Sequence, residues 1–381
     1  MTEAFLILKN ERSRKKNSFA EPVKGEAYIQ LVWRKFKRSK TAIIGAILVI
    51  IMAILAIFAP FFSPYNPLKI DHRASFSPPQ RIHFFDDKGK FHLRPFVYNL
   101  KLELDPQTWK RIYTEDTSKR FPIYFLVRGW EYKPFGIPCK LHLFGVAKGG
   151  SIHLFGMDNY GRDLWARIML GGRVSLSIAL LGAILSAFIG SMVGTISAYY
   201  GGITDMILQR IVEFLQSFPQ LPLWMALSIA IPATWSSLYV FIAIMMLFGL
   251  LSWTPLAREV RGKVLSLREQ EFVLSAKEAG ASDARIIFKY LIPNCLSHII
   301  VVLTITIPWL ILAESTLSFL GLGLQPPMVS WGVLLQEAQN LQTMGRHLWI
   351  AIPGAFIVIT VLGFNFLGDG LRDAADPYSR R

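Results

Sequence analysis

The chain of 381 residues is 52% hydrophobic and only 18% charged, with 27 Phe and 10 Trp, and its mean hydropathy is +0.38. A soluble domain of this length needs more surface charge, so the composition points to a membrane as solvent and excludes disordered, fibrous and disulfide-stapled classes. The net charge of +15, from 41 Lys and Arg against 26 Asp and Glu, is open to nucleic acid, anionic lipid or a topology signal until its placement is known.

In chain order, a basic cluster from Arg34 to Lys40 (RKFKRSK) precedes an uninterrupted apolar stretch from Thr41 to Phe62. At about 1.5 Å per residue that stretch spans a hydrocarbon core of roughly 30 Å as a helix. A cleavable signal peptide is the alternative, but the run is too long, and Pro60 to Pro67 (PFFSPYNP) holds no small-residue cleavage pattern. Five further apolar runs follow a long polar interval: Val174 to Tyr200, Val212 to Ile231, Leu238 to Trp253, Leu296 to Ala313 and Leu348 to Leu367. Pro219, Pro222 and Pro308 fall in the third and fifth spans, where a membrane bundle tolerates them because neighbours satisfy the freed carbonyls. Gly182, Ala187, Gly190 and Gly194 in the second span permit close helix contact.

With the N-terminus inside, the cytoplasmic segments carry 22 of the 41 Lys and Arg, and the two short outer segments carry one, Arg346. The outer Pro64 to Gly172 loop carries 17, but long loops cross the membrane largely regardless of charge, so the short segments set the orientation. The charge is therefore mainly a topology signal. A nucleic-acid partner is excluded, since the richest basic run abuts a spanning helix instead of forming a face on a soluble domain. Cys139 and Cys295 lie far apart and supply neither a disulfide framework nor a metal set. The chain thus reads as an all-α polytopic membrane protein of six transmembrane helices, both termini inside, with a small α+β or β-rich outer insertion between the first two. The segments are a cytoplasmic tail (1–40), the first span (41–63), the insertion (64–155) and a core (156–381) carrying a cytoplasmic loop (254–293). Within the insertion, strand-like runs at His92 to Leu104, Pro122 to Val127 and Lys140 to Phe144 alternate with turn signals at Asp86 to Gly89 and at Gly149 and Gly150. Its aromatic residues are first of all the core of that small domain.

The cytoplasmic loop is the most informative stretch. Glu269 to Ala279 is a strong helix former with Phe272, Val273, Ala276 and Ala279 on one stripe and Glu271, Ser275 and Glu278 on the other. Gly280 breaks it, Ser282 can cap a second helix with Asp283 at its positive end, and Ile286, Ile287, Tyr290 and Leu291 form the next apolar stripe until Pro293. A pair of amphipathic helices at the interface would look the same by composition alone. The spacing is more specific: Gly280, nine residues, then Tyr290, Leu291, Ile292 and Pro293 resembles the EAA loop of prokaryotic ABC importer permeases, written E-A-A-x3-G-x9-I-x-L-P. Here Leu274, Ser275 and Ala276 stand at the leading triplet, and Tyr290 and Ile292 replace the usual Ile and Leu. Gly156 to Leu176 (GMDNYGRDLWARIMLGGRVSL), Tyr199 to Pro219, Glu314 to Gly323 (ESTLSFLGLG) and Phe364 to Pro377 (FNFLGDGLRDAADP) are similar to the dipeptide and oligopeptide permease branch, in the same order.

That resemblance implies the type I ABC importer permease fold in the inner membrane of a prokaryote, as the C-type component of a peptide or oligopeptide importer. It implies a homologous second permease subunit, two separate ATPase subunits and an extracytoplasmic solute-binding protein as partners, in a lipid bilayer. Oligosaccharides or nickel chelates are the alternative cargo. The ATPase contact falls on Ser275, Ala276, Glu278, Ala279, Gly280, Ala281 and Ser282, unless Ala276, Ala279 and Gly280 merely let two helices pack. Glu314, an ionisable residue at the outer end of the fifth span, is a candidate for the translocation pathway, with a buried partner for a backbone group or Arg as the alternative. Asp158, Arg162 and Asp163 are receptor-docking candidates or, equally, a solvated helix start with Asp158 as cap.

No catalytic function is expected. Gly262 and Lys263 lack the rest of a phosphate-binding loop, with Ala257 at the position of the first Gly and Val264 after the Lys. The seven His are scattered and no H-E-x-x-H occurs, so no cofactor or metal is expected. A secondary transporter or channel would show inverted repeats and paired intramembrane charges, which the sequence lacks. A membrane-embedded enzyme would need converging acid, base or metal residues in the spans, and none converge.

Overall fold

Ser39 sets where the first membrane helix begins: its hydroxyl accepts from the Ala42 amide (3.3 Å) and separates a short basic helix, α1 (Tyr28–Arg38), from α2 (Lys40–Ile57). The computed structural model describes residues 28 to 375, apart from 105, 108 to 110 and 233. Most of the 1–40 tail and Pro377 of the last matched segment lie outside the described residues.

Eighteen residues, apolar after Lys40 and Thr41, make α2 about 27 Å long, near the thickness of a hydrocarbon core. It buries only Ala42, Gly45, Met52 and Ala56, against the last helix, while Ile43, Ile47, Ile50, Ile54 and Ile57 stay exposed, the apolar surface that lipid covers. Pro60 then opens a single turn, α3 (Ala59–Phe62).

The insertion is a four-stranded antiparallel meander: β1 (His83–Phe85), β2 (Phe91–Leu104), β3 (Arg111–Tyr132) and β4 (Cys139–Val146), paired in that order. Asp86 closes the first hairpin by accepting from the amides of Lys88 (3.1 Å) and Lys90 (2.8 Å). Its core is Val97, Phe121, Ile123, Phe144 and Ile152. The strand expected at Pro122 to Val127 is in fact 22 residues long. Its first half, RIYTEDTSKR, is open on both faces, so no alternation of apolar and polar residues marks it.

The backbone of the segment after α3 lies directly on the GMDNYGRD segment. Gly156 (φ +71°) and Gly161 (φ +70°) are left-handed, and a Cβ at Gly161 would stand 1.8 Å from the Asp71 carbonyl oxygen. Asp163 then caps α4 (Leu164–Tyr200), its Oδ1 accepting from the Ala166 amide at 2.8 Å. The cap starts this helix ten residues before the expected span.

The third span is not one helix. The run Val212 to Ile231 divides into α5 (Gly202–Gln216) and α6 (Gln220–Ile229), because Pro219 disfavours helical backbone at Phe218 and donates no amide. At ten residues, α6 is about 15 Å long, half a bilayer. The remaining elements are α7 (Ser237–Leu251), α8 (Thr254–Leu267), α9 (Glu271–Glu278), α10 (Asp283–Phe319, with a π-turn at Ile286–Leu291), α11 (Trp331–Gln336), α12 (Leu341–Arg346) and α13 (Ile352–Ala375). Among the described residues, five helices are long and apolar enough to cross a membrane: α2, α4, α7 running into α8, α10 and α13 with the turn before it.

Ile178, Ala179 and Ala183 of α4 meet Ile244 and Phe248 of α7 and Leu310 and Ile311 of α10 in the main core. Toward the loop end, α4 and α8 approach backbone to backbone. A Cβ at Gly190 would stand 2.8 Å from the Trp253 carbonyl oxygen, and one at Gly194 2.4 Å from that of Ala257. Beside this seam Arg261 of α8 grips Asp205 of α5 through two bonds (2.6 and 2.5 Å), with the Ser197 hydroxyl also donating to Asp205.

Two outcomes follow for the purified chain in detergent. Gly194→Val should lower stability by about 1–3 kcal/mol through overpacking, whereas Gly262→Ala, mid-helix with nothing within 4 Å, should raise it by about 0.5–1 kcal/mol, both read by thermal unfolding. The Arg261 bonds hold the Asp205 carboxyl down at about 2, against 3.8 for the free group. Folded-state depression means that this stabilisation is full above pH 4 and is lost as pH falls toward 2. Asp205→Asn should therefore flatten the fall in thermal stability between pH 5 and pH 3, and an unchanged slope would show that other groups carry it.

Candidate functional site

The loop from α8 to α10 is a rigid turn on a buried base. Helix α9 ends in a Schellman motif: Gly280 adopts φ +78°, its amide donates to the Lys277 carbonyl (3.0 Å), and the Ala281 amide reaches back to the Ala276 carbonyl (3.0 Å). Nothing lies within 4 Å of a Cβ built at Gly280, so glycine is required there by backbone conformation and not by space. Ser282 then opens α10, its hydroxyl accepting from the Arg285 amide at 3.4 Å with Asp283 in the first turn, as its sequence position suggested.

The base is apolar. Val273 of α9 and Ile286, Ile287 and Leu291 of α10 pack with Leu256, Val260 and Val264 of α8 and with Ala187 and Ala198 of α4. Two polar ties fix it further, Tyr199 donating to Asp283 (2.7 Å) and Arg268 to the Ala198 carbonyl (2.7 Å). Above that base Ser275, Glu278, Ala279, Gly280 and Ser282 are exposed, and Ala276 and Ala281 are half-buried. All seven residues assigned to the ATPase contact from sequence therefore form one short solvent-facing surface. Of the apolar stripe expected on α9, Val273 alone is buried, while Phe272 and Leu274 are exposed. No sequence signal marks these two as part of the surface, because Phe272 falls on the expected apolar stripe and Leu274 stands at the position of the usual Glu.

At the other end of α4, Asp158 and Asp163 of the receptor-docking candidates are buried and Arg162 is half-buried. Asp158 is 1% exposed and accepts from the amides of Tyr160 and Arg162 (2.9 Å each), from Arg162 Nε (2.6 Å) and from Arg167. Asp163, not Asp158, caps the helix, and its second oxygen takes His153 Nδ1 at 2.7 Å. Arg162 extends from Asp158 to Glu337 (3.3 Å). Burial pushes the Glu337 carboxyl up, and the Asp158 charge adds to this against the Arg167 and Arg162 guanidinium groups. Asp158, Arg162, Arg167 and Glu337 thus form a largely buried charge cluster that joins the start of α4 to the segment after α11. Arg167 and Glu337 were not singled out from sequence, since both fall in stretches that read as apolar helix or outer loop.

Glu314 is fully buried. Its oxygens accept from Ser175 of α4 (2.8 Å) and from Ser318 one turn along α10 (2.7 Å). The Ser175 hydroxyl accepts in turn from the Trp331 amide at the start of α11 (3.2 Å), and that of Ser318 from the Leu324 amide (3.1 Å). Its partners are hydroxyls, neither Arg nor backbone, and the carboxyl group is a node among three helices instead of a surface group. The i, i+4 spacing of Glu314 and Ser318 was the legible part of this node. An open groove of about 840 Å³ lies elsewhere, between α8, α10 and α13, running from Trp309 and Thr306 to Glu259, Lys263, His298 and Arg372.

Comparison with known proteins bears on these surfaces. Residues 186–381 match the model of the binding-protein-dependent transport system inner membrane component, and residues 27–79 match the N-terminal transmembrane domain of oligopeptide transport permease C. Over 230 residues, 60% of this chain, it is 45% identical to the oligopeptide transport system permease protein OppC of Haemophilus influenzae, covering 71% of that protein. The OppC of Bacillus subtilis is 40% identical over the same length, with 73% of it covered. The dipeptide transport system permease protein DppC of Bacillus subtilis aligns along the whole chain, 30% identical over 379 residues and 94% of its own length. The chain therefore belongs to the family of binding-protein-dependent transport system inner membrane components.

Proposed function

We propose that this chain is the C-type permease subunit of an ATP-driven peptide importer, lying in the cytoplasmic membrane of a prokaryote with both termini inside. The peptide cargo is carried over from the names of the oligopeptide and dipeptide relatives. The charge distribution supports the orientation. Six crossings follow if α6 and the irregular backbone around it complete the third, since non-helical backbone is tolerated at membrane depth inside protein. In this arrangement residues 1–40 are a cytoplasmic tail, 41–63 the first span, 64–155 the extracytoplasmic insertion and 156–381 the permease core with its 254–293 loop.

One observation carries the reading: the turn from Ser275 to Ser282 presents an exposed surface on a base that is packed at once into α4, α8 and α10. An ATPase subunit seated on that surface moves these helices when it moves, because a close-packed base transmits displacement instead of absorbing it. Hydrolysis belongs to two such separate subunits. A homologous second permease completes the pathway, for which this chain supplies the groove between α8, α10 and α13, and a solute-binding protein delivers peptide on the side of the insertion.

Gly280→Val forces a β-branched residue into the left-handed region at a cost of about 1–2 kcal/mol and opens the turn. Insertion into membranes should persist while co-purification with the ATPase subunit falls at least about tenfold, equivalent to about 1.4 kcal/mol. Leu274→Asp, at an exposed position, should weaken the same association without touching the fold, and unchanged co-purification of both variants would remove this surface as the contact. In proteoliposomes holding the complete transporter, Trp309→Ala should slow ATP-dependent peptide uptake severalfold while leaving ATPase association intact. Uptake equal to the parent would take the groove out of the pathway.

A further inference from the structure

The turn between β3 and β4 hangs from the insertion toward the bilayer, and its direction follows from contacts taken in order along β4. Val146 shares an apolar cluster with Tyr65. Phe144 lies edge-on to Trp165 (6.1 Å), whose indole donates to the Phe62 carbonyl (2.7 Å). A ring nitrogen of His142 sits 2.9 Å from the Pro60 carbonyl oxygen. Passing from Val146 to His142 thus retraces the chain from Tyr65 back to Pro60, toward the end of α2. The step from His142 to Cys139 carries the strand on by about 10 Å at about 3.3 Å per residue. On the β3 side Trp130 donates to the Ser63 carbonyl (3.1 Å) before the strand continues the same way. The turn from Lys133 to Lys140 therefore stands level with the end of the apolar helix.

The chemistry at that level is the chemistry of a membrane interface. Ile137 is 69% exposed, and Leu141 is exposed as well; Ile54 and Ile57 of α2 and Phe58 just after it are exposed at the end of the apolar helix. Trp130 and Tyr132 stand behind the turn, their rings tilted against each other at 5.5 Å, and Arg128, Lys133 and Lys140 are exposed around it. Glu131 is the one acidic residue between Arg128 and Leu141, and it pairs with Lys140 (3.1 Å). An apolar tip in water is a cost without a return, whereas aromatic and basic residues around such a tip match the headgroup zone of an anionic bilayer.

We propose that the β3–β4 turn is seated in the bilayer interface, with Ile137 at the acyl boundary and Arg128 and Lys133 against anionic phosphate headgroups. The lipid surface already contacted by α2 continues onto this turn, so the insertion is held against the membrane at a second point besides its covalent links. The lipid contact orients the sheet above the permease core.

The test places an environment-sensitive fluorophore at Ile137→Cys in the full chain carrying Cys139→Ser and Cys295→Ser, reconstituted in nanodiscs whose lipids bear a nitroxide near the headgroup. The expected quenching is at least about threefold stronger than for the same label at Leu104→Cys, at the far end of the β2–β3 pair, with Leu141→Cys also quenched. Adding phosphatidylglycerol to phosphatidylcholine discs should increase quenching at 137, and Arg128→Glu with Lys133→Glu should abolish that increment. All labelled sites are exposed, and monodisperse elution with unchanged thermal unfolding confirms the fold. Quenching at 137 no greater than at 104 overturns the proposal. A change at 137 that appears only on adding the second permease or a binding protein also overturns it and makes the turn a protein contact.

Discussion

The rest of the molecule depends on how closely α4 and α8 approach. The carbonyl oxygens of Trp253, just before α8, and of Ala257 stand where side chains of α4 would begin at positions 190 and 194, so at these two points the helices meet with no α4 side chain between them. Close approach of this kind is how membrane helices associate where lipid supplies no hydrophobic drive. Its consequence is mechanical. Because α8 leads directly into the loop and α4 runs the length of the bundle, whatever displaces the loop displaces α4 with it.

At its other end α4 is held just as firmly, by different physics. Asp163 caps it, and Arg167 one turn in is drawn into the cluster with Asp158, Arg162 and Glu337. Buried charges in such a cluster add little net stability but penalise every arrangement that separates them. Glu314 repeats the device at mid-helix with Ser175 and Ser318. The helix is thus registered at three heights, by glycine seam, by carboxyl–hydroxyl node and by ion cluster, and the outer insertion joins through Gly156 and Gly161, whose left-handed backbone lets residues 71 to 79 lie on the start of α4.

How much of this was legible depends on range. Apolar length located five crossings, and the small residues at 182, 190 and 194 marked the α4 face that packs closely. Local turn chemistry placed Gly280 and Ser282 correctly, because a helix terminus is decided by a few adjacent residues. Pro219 was visible too, yet apolar length overrode it, and the third run was read as one helix. The insertion's long strand escaped because, being open on both faces, it has no period to read. The burial of the carboxylates in Gly156 to Leu176 escaped for a related reason. Asp158 and Asp163 look like surface groups until Arg167 and His153 are brought to them, and Glu337 to Arg162, by contacts 9 to 175 residues distant in sequence, and no local pattern encodes that.

The loop surface shows what the departures from the family pattern mean physically. Where the usual motif has a carboxylate, Leu274 stands exposed, with Phe272 beside it, so the loop's outward face gains apolar area and loses a charge. Two exposed large side chains on an eight-residue helix are poorly accommodated by water and well accommodated by a partner cleft. In the proposed contact such a face acts through burial more than through ion pairing, and burial is less sensitive to salt than an exposed pair. There Glu278 and the Schellman turn set orientation, while Phe272 and Leu274 supply the adhesion. On the proposed reading, an ATPase contact built this way keeps its grip as the partner's geometry changes, because apolar contact is not directional and yields less than a hydrogen bond when the angle between partners changes.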